Sequence, residues 1–181
     1  MGDTTGTDMG AVNGEGDDLG ATGAPSVDSG RFREVLGHFA TGVTVVTASE
    51  GGEPVGFTCQ AFAALSLDPP LVALAPGKSS TSWPRIAAAG SFCVNILAED
   101  QEAIGRDFAV SGGDKFRGVG WRPARGGAPV LDGTLAWVEC SFVEAHEAGD
   151  HELVVGRVQD MGVSRGRPLV YYRGGFGRFE A

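Results

Sequence analysis

The chain has 181 residues, of which 42% are apolar and 20% charged, with a formal net charge of −9. That length suits one domain with its own core and is too short for two ordinary ones, while the acidic balance argues against a nucleic-acid or anionic-membrane partner, either of which calls for a basic face. No apolar run approaches the roughly 18 residues of a membrane-spanning helix, and no basic stretch followed by an apolar one marks a signal peptide.

Residues 1–28 hold six acids, no Lys or Arg, many glycines and almost no large apolar side chain. Such a segment cannot bury enough apolar area to offset its ordering entropy and reads as a flexible tail. It carries six of the nine net negative charges, which leaves the folded part, residues 29–181, near −3. Asp28 or Ser29 is placed to cap a helix through RFREVLGHFA, with Phe32, Val35, Leu36 and Phe39 on one face. GVTVVTA is a β-branched strand ended by the turn cluster EGGEP. VGFTCQAFAALS reads as a second strand, stopped by the proline pair of LDPP, and LVALAP as a third. KSSTSWPRIAAAG is a polar turn opening a short helix that Gly90 ends. SFCVNILA is a fourth strand, AEDQEAIGRDFA a further helix, and the Gly- and Pro-rich segment 111–131 a long loop. LAWVECSFVEAHEAG, HELVVGRVQDMGV and PLVYYRGGFGRFE complete the chain as strands and hairpins. Helices come singly among runs of strands, and no GxGxxG follows a first strand. The pattern predicts a mainly β fold, an antiparallel barrel with a few outer helices, and not a dinucleotide-binding α/β sheet.

Three stretches carry candidate chemistry. KSSTSW sets Lys78, Ser79, Ser80 and Thr81 at a helix start, where hydroxyls and a cation suit a phosphate; equally, one of the serines there caps the helix. GFTCQAF puts Thr58 and Gln60 on one side of a strand and Cys59 and Ala61 on the other, so its polar groups need partners, either across the sheet or on a planar heteroaromatic ligand. GDH sets Asp150 and His151 side by side at the entrance of a strand. In DKF, Phe116 either covers a ligand or anchors the loop. Cys59, Cys93 and Cys140 are odd in number and widely spaced, as reduced core cysteines of a cytoplasmic protein are. No CxxC, HExxH, P-loop or nucleophile elbow is present, no metal site is expected, and any catalysis falls to a bound organic cofactor.

In order and spacing, FREVLGHFATGVTVVTA, GFTCQAFAALSLDPPLVAL, KSSTSWPRIAAAGSFCVNILAEDQEAIGRDFA, DKF, AWVECSF, GDHELVVGRV and RPLVYYRGGFGRF resemble the short-chain flavin reductases, the reductase partners of two-component flavin-dependent monooxygenases. The resemblance implies an antiparallel split β-barrel, a homodimer with two flavin sites near its interface, FAD or FMN as flavin, and NADH or NADPH as hydride donor. It implies Thr58, Cys59, Gln60 and Ala61 along the isoalloxazine ring, Ser66 and Asp68 near the ribityl chain, and Lys78, Ser79, Ser80 and Thr81 near the phosphate. Phe116 would cover the cofactor, and His151 would meet the nicotinamide as the catalytic residue. Asp150 and His151, as neighbours on a strand, are expected to point to opposite faces and not to bond each other. Many relatives carry Asn and Ser where this chain has Gln60 and Ala61, which leaves FAD against FMN open. No Arg cluster marks a 2′-phosphate site, so NADH is favoured. The implied activity is reduction of flavin for release to a separate monooxygenase. The alternative is a split-barrel protein that holds flavin and passes electrons without turning over nicotinamide.

Overall fold

The computed structural model describes residues 27–180; the acidic tail expected from the sequence lies almost wholly outside them. Helix α1 spans Ser29–Leu36, with the Asp28 carboxylate accepting from the Arg31 N–H at 2.8 Å, so the last residue assigned to the tail is the helix cap. The strands that follow are β1 (Thr41–Gly42), β2 (Thr44–Glu50), β3 (Glu53–Cys59), β4 (Phe62–Leu67) and β5 (Pro70–Leu74). Pro70, first in β5, needs no ladder N–H there. Helix α2 (Trp83–Ala89) ends at Gly90, whose φ of 71° is the left-handed turn a glycine supplies most cheaply. Then come β6 (Ser91–Ile96), α3 (Glu102–Ala109), β7 (Trp121–Pro123), β8 (Pro129–Leu131), β9 (Ala136–Ala148), β10 (His151–Val163), β11 (Leu169–Tyr172) and β12 (Gly175–Arg178).

Two expectations change here. The single strand read through VGFTCQAFAALS is two strands, broken at Gln60–Ala61, and segment 111–131 is not all loop, because β7 and β8 pair within it.

Seven strands form one antiparallel sheet in the order β3-β2-β6-β9-β10-β5-β4. Its edges, β3 and β4, are consecutive in sequence. Phe57 of β3, Val72 and Leu74 of β5, Phe92 of β6 and Val154 of β10 share one core with Trp83 and Ile86 of α2. Residues from both ends of the strand order meet only if the sheet curls on itself, leaving its seam between β3 and β4. This is the mainly β split barrel expected from the sequence. A second core packs α3 against the small sheet β1-β11-β12, with Phe108 and Leu97 fully buried.

The long β9–β10 ribbon carries a bulge at Gly156, where a Cβ would stand 2.7 Å from Phe92 Cζ and 3.2 Å from Cys140 Cβ. Only a glycine lets the Phe92 ring lie that close. Gly156→Ala is expected to cost about 1–3 kcal/mol through overpacking, read as a lowered midpoint in chemical denaturation; an unchanged midpoint would show that the barrel relaxes around the methyl.

Candidate active site

The seam of the barrel positions the candidate residues. Two cavities bear on the candidate residues. The first, about 180 Å³, is lined by Thr58, Ser79, Ser80 and Thr81 together with Gly77 and Lys115. The second, about 460 Å³ and mostly apolar, is lined by Gln60, Ala61, Phe62 and Leu74 with Phe39 and Leu153. Segment 76–78 is tied to the start of β10: Lys78 N–H donates to Asp150 O at 2.9 Å and Glu152 N–H to Pro76 O at 3.0 Å. A Cβ built on Gly77 would lie 3.6 Å from His151 Nε2. Leu153, two residues along the same strand face, lines the apolar cavity, and Gly77, which lines the small one, lies against His151, so neighbours of His151 reach both spaces.

His151 Nδ1 is 2.8 Å from Asp150 Oδ1, against the expectation that the two would not meet. The alternation of strand faces does not apply, because β10 begins at His151 and Asp150 belongs to the turn behind Gly149, whose φ is 68°. The Asp150 carboxyl is fully exposed and is held below its ordinary value mainly by the hydrogen bond to His151, then by the charge of the imidazole. An ionised Asp150 accepts the Nδ1 proton and leaves Nε2, the nitrogen nearest Gly77, to face a ligand. Falling pH opens the pair only once Asp150 is protonated, below the usual carboxylate range.

The cation at the small cavity is not the one expected. Lys78 does not line it; its ammonium is paired with Glu147 on the β9–β10 hairpin. Lys115 takes the place, with Nζ donating to Gly56 O at 3.2 Å and Phe108 O at 3.1 Å. Two of its three N–H donors are thus used, and among the described residues no carboxylate pairs with it. Burial holds the ammonium below the ordinary lysine value. A half-buried cation with a spare donor beside three hydroxyl residues is the donor set a phosphate group needs. The cation is present in DKF, but nothing local in the sequence ties that loop to the KSST segment.

The other expected residues divide. Thr58 Oγ1 donates to Gly105 O at 2.7 Å and is satisfied within the protein. Ser80 Oγ accepts from the Trp83 N–H at 3.1 Å, so it caps α2 while lining the cavity. The Cys59 thiol is buried, faces Ala61 O and Ala75 O, and is pushed up to about 11 by burial; only its backbone remains for a ligand. Cys93 and Cys140 are likewise buried free thiols, raised to about 12, first by burial and then by Glu139. Phe116 packs edge-on against Phe108 with ring centroids 5.0 Å apart, an anchor that also walls a neighbouring cavity. Ser66 and Asp68 lie at the far end of the β4–β5 hairpin, about 20 Å of strand from Gln60 at roughly 3.3 Å per residue, and line neither cavity. Thr41, not singled out in the sequence, lines the apolar cavity with its Oγ1 buried and without a partner among the described residues. An orphaned hydroxyl at a cavity wall fits a ligand with polar edges.

A family model, "Flavin reductase like domain", matches residues 36–180. The chain is 47% identical over 162 residues to the reductase subunit HsaB of a flavin-dependent monooxygenase from Rhodococcus jostii, covering 89% of this chain and 83% of that one. It is 43% identical over 153 residues to the FMN reductase (NADH) SmoA of Agrobacterium fabrum, covering 84% of this chain and 87% of that one. The crystal structure of nitrilotriacetate monooxygenase component B from Mycobacterium thermoresistibile superposes with a TM-score of 0.81 at 48% identity, over 83% of this chain and 86% of that one. The activity these similarities establish is that of an NADH:flavin oxidoreductase, the reductase component of a two-component monooxygenase. A split barrel with a cavity lined by hydroxyls and a lysine and a second, apolar cavity near one histidine therefore has its place: the chain belongs to the flavin reductase-like family.

Proposed function

We propose that residues 29–181 form the reductase domain, that it works as a homodimer in the cytoplasm, and that its two cavities hold the two ends of one flavin. The carrying observation is that residues beside His151 line both cavities, Gly77 the small one and Leu153 the apolar one. Ser79, Ser80, Thr81 and Lys115 hold the phosphate, and the backbone and side chains of Thr58–Ala61 run along the ring system. Bound flavin supplies the hydride acceptor for a reduced nicotinamide. The chain's own part is positioning: Asp150 fixes the His151 tautomer, Nε2 orients the nicotinamide carboxamide, and Leu153, Phe39 and Phe62 keep water from the apolar cavity. No protein proton is needed for the transfer itself. Modest grip follows from the donor set, one half-buried lysine and short hydroxyls, which suits a reductase that must release reduced flavin to a separate oxygenase. The test follows reduced-nicotinamide absorbance while free FMN or FAD is raised from catalytic amounts to excess. A rate that climbs and saturates with free flavin supports the reading; background oxidation with either flavin rejects it.

Support for the dimer comes from apolar surface. None of the eight residues of α1 is buried, and Phe32, Val35 and Leu36 stand exposed beside Phe39, which is 77% exposed. Leu67, 95% exposed, sits at the hairpin end between Ser66 and Asp68. An amphipathic helix and a hairpin tip left uncovered are surfaces that another protomer covers. Ser66 and Asp68, too far from their own cavities, would then serve the flavin of the partner. The double variant Leu36→Asp/Phe39→Asp is expected to sediment as a monomer with native far-UV dichroism. Its flavin affinity is expected to fall about tenfold or more, one lost order being about 1.4 kcal/mol. A native dimer in that variant would place the interface elsewhere.

A further inference from the structure

Lys115 stands in the wall between the phosphate cavity and a third space of about 310 Å³, which shares Thr81, Ser82 and Lys115 with it and continues to Arg85, Gly113 and Phe116. We propose that this third space receives the adenylate half of FAD, so that FAD, not FMN, is the preferred flavin of this protein; this rests on the assignment of the first cavity to the flavin phosphate.

Contiguity is the first support. A pyrophosphate needs two anion positions side by side, and the Lys115 ammonium, with one donor free, lies where the two cavities meet. The second is a further cation. Arg85 lines the far wall, and its only hydrogen bond among the described residues uses Nε, which donates to Glu50 Oε2 at 2.6 Å. Four guanidinium N–H donors remain for a second phosphate. The third is size. A space of this volume is of the order of small-molecule sites and far exceeds what a lone phosphate oxygen or water requires. Its walls suit a nucleoside. Phe116 gives an apolar surface, the Ser82 hydroxyl makes no cap bond to α2, and a Cβ at Gly112 or Gly113 would meet nothing within 4 Å, so no side chain fills the mouth. Opposing charge is limited. Asp114, also in the lining, lies 3.7 Å from the Arg117 guanidinium, and Glu50 is engaged with Arg85. FMN ends at its phosphate and would leave the whole space to water.

The test is a ladder of calorimetric affinities on the full chain for riboflavin, FMN and FAD. Each step is expected to tighten binding about tenfold, as a charge-assisted phosphate contact does. Arg85→Gln should remove the FAD step alone, while Glu50→Gln, which frees the guanidinium, should tighten FAD severalfold and leave FMN unchanged. FMN held more tightly than riboflavin, but no less tightly than FAD, would overturn the adenylate cavity and leave the phosphate cavity standing. FMN held no better than riboflavin would remove the phosphate cavity and this proposal with it. An Arg85→Gln protein that melts as wild type yet loses FMN and FAD equally would also overturn it.

Discussion

His151→Ala is expected to lower kcat/KM for NADH about a hundredfold while leaving the affinity for flavin within about twofold of wild type, a split that positioning predicts. The ring contributes no bond to the flavin cavities themselves. Neither cavity counts His151 among its lining, yet Nε2 lies 3.6 Å from where a Gly77 Cβ would stand, and Gly77 lines the phosphate cavity. On the proposed assignment, a group in that place meets the second substrate and not the flavin. Loss of the imidazole lets the nicotinamide sit in several poses, and a displacement of about 1 Å suffices for a loss of this size. His151→Gln, which keeps a donor at comparable reach, should recover part of the rate. Stopped-flow reduction at saturating flavin measures the step directly. Equal losses of flavin affinity and reduction rate would instead make His151 a strand-end residue that shapes the cavity, with its hydrogen bond to Asp150 serving only the hairpin.

Most of the architecture was legible because period-two runs and turn residues mark strands whatever their partners. Asp28 as cap, Gly90 as stop and the β-branched run before Glu50 all act through local rules. What stayed hidden depends on pairing at a distance. Gln60–Ala61 looks continuous with its neighbours, since nothing local says that the sheet ends on either side of it; the seam exists only because β4 pairs with β5, and β5 with β10, at the end of the sheet away from β3. The β7–β8 hairpin is only three residues a side and is bounded by Pro123 and Pro129, too short for periodicity to show. The site shows the same division. The hydroxyl run at Ser79–Thr81 was visible by composition, but sequence adjacency favoured Lys78, and only the course of the β9–β10 hairpin shows that Glu147 claims it. Turn geometry likewise decides the Asp150–His151 contact, and a residue-by-residue alternation cannot express it.

Lys115→Met is expected to weaken FMN binding about thirtyfold and to leave riboflavin, which lacks the phosphate, unchanged. The magnitude lies at the lower end for removing one member of a hydrogen-bonded charge pair, because Lys115 is only partly buried and water screens it. Methionine keeps the length and apolar stem, so what is removed is the charge and its bonds to Gly56 O and Phe108 O. Those two carbonyls lose a donor, at a cost of about 1 kcal/mol in stability, and the comparison with riboflavin separates that cost from phosphate recognition. The pH dependence gives a second signature. In the free protein burial penalises the ammonium and so lowers the Lys115 value; a bound phosphate offsets that penalty and raises it again. Binding therefore takes up a proton once the pH exceeds the lowered free-state value. FMN affinity should fall as pH rises through that value, earlier than an ordinary lysine would allow, and Lys115→Met should be flat over the same range. If riboflavin and FMN weaken together in the variant, or if wild type and variant share one pH profile, Lys115 is a strut between β3 and α3 and the phosphate is held by the hydroxyls of Ser79–Thr81 alone.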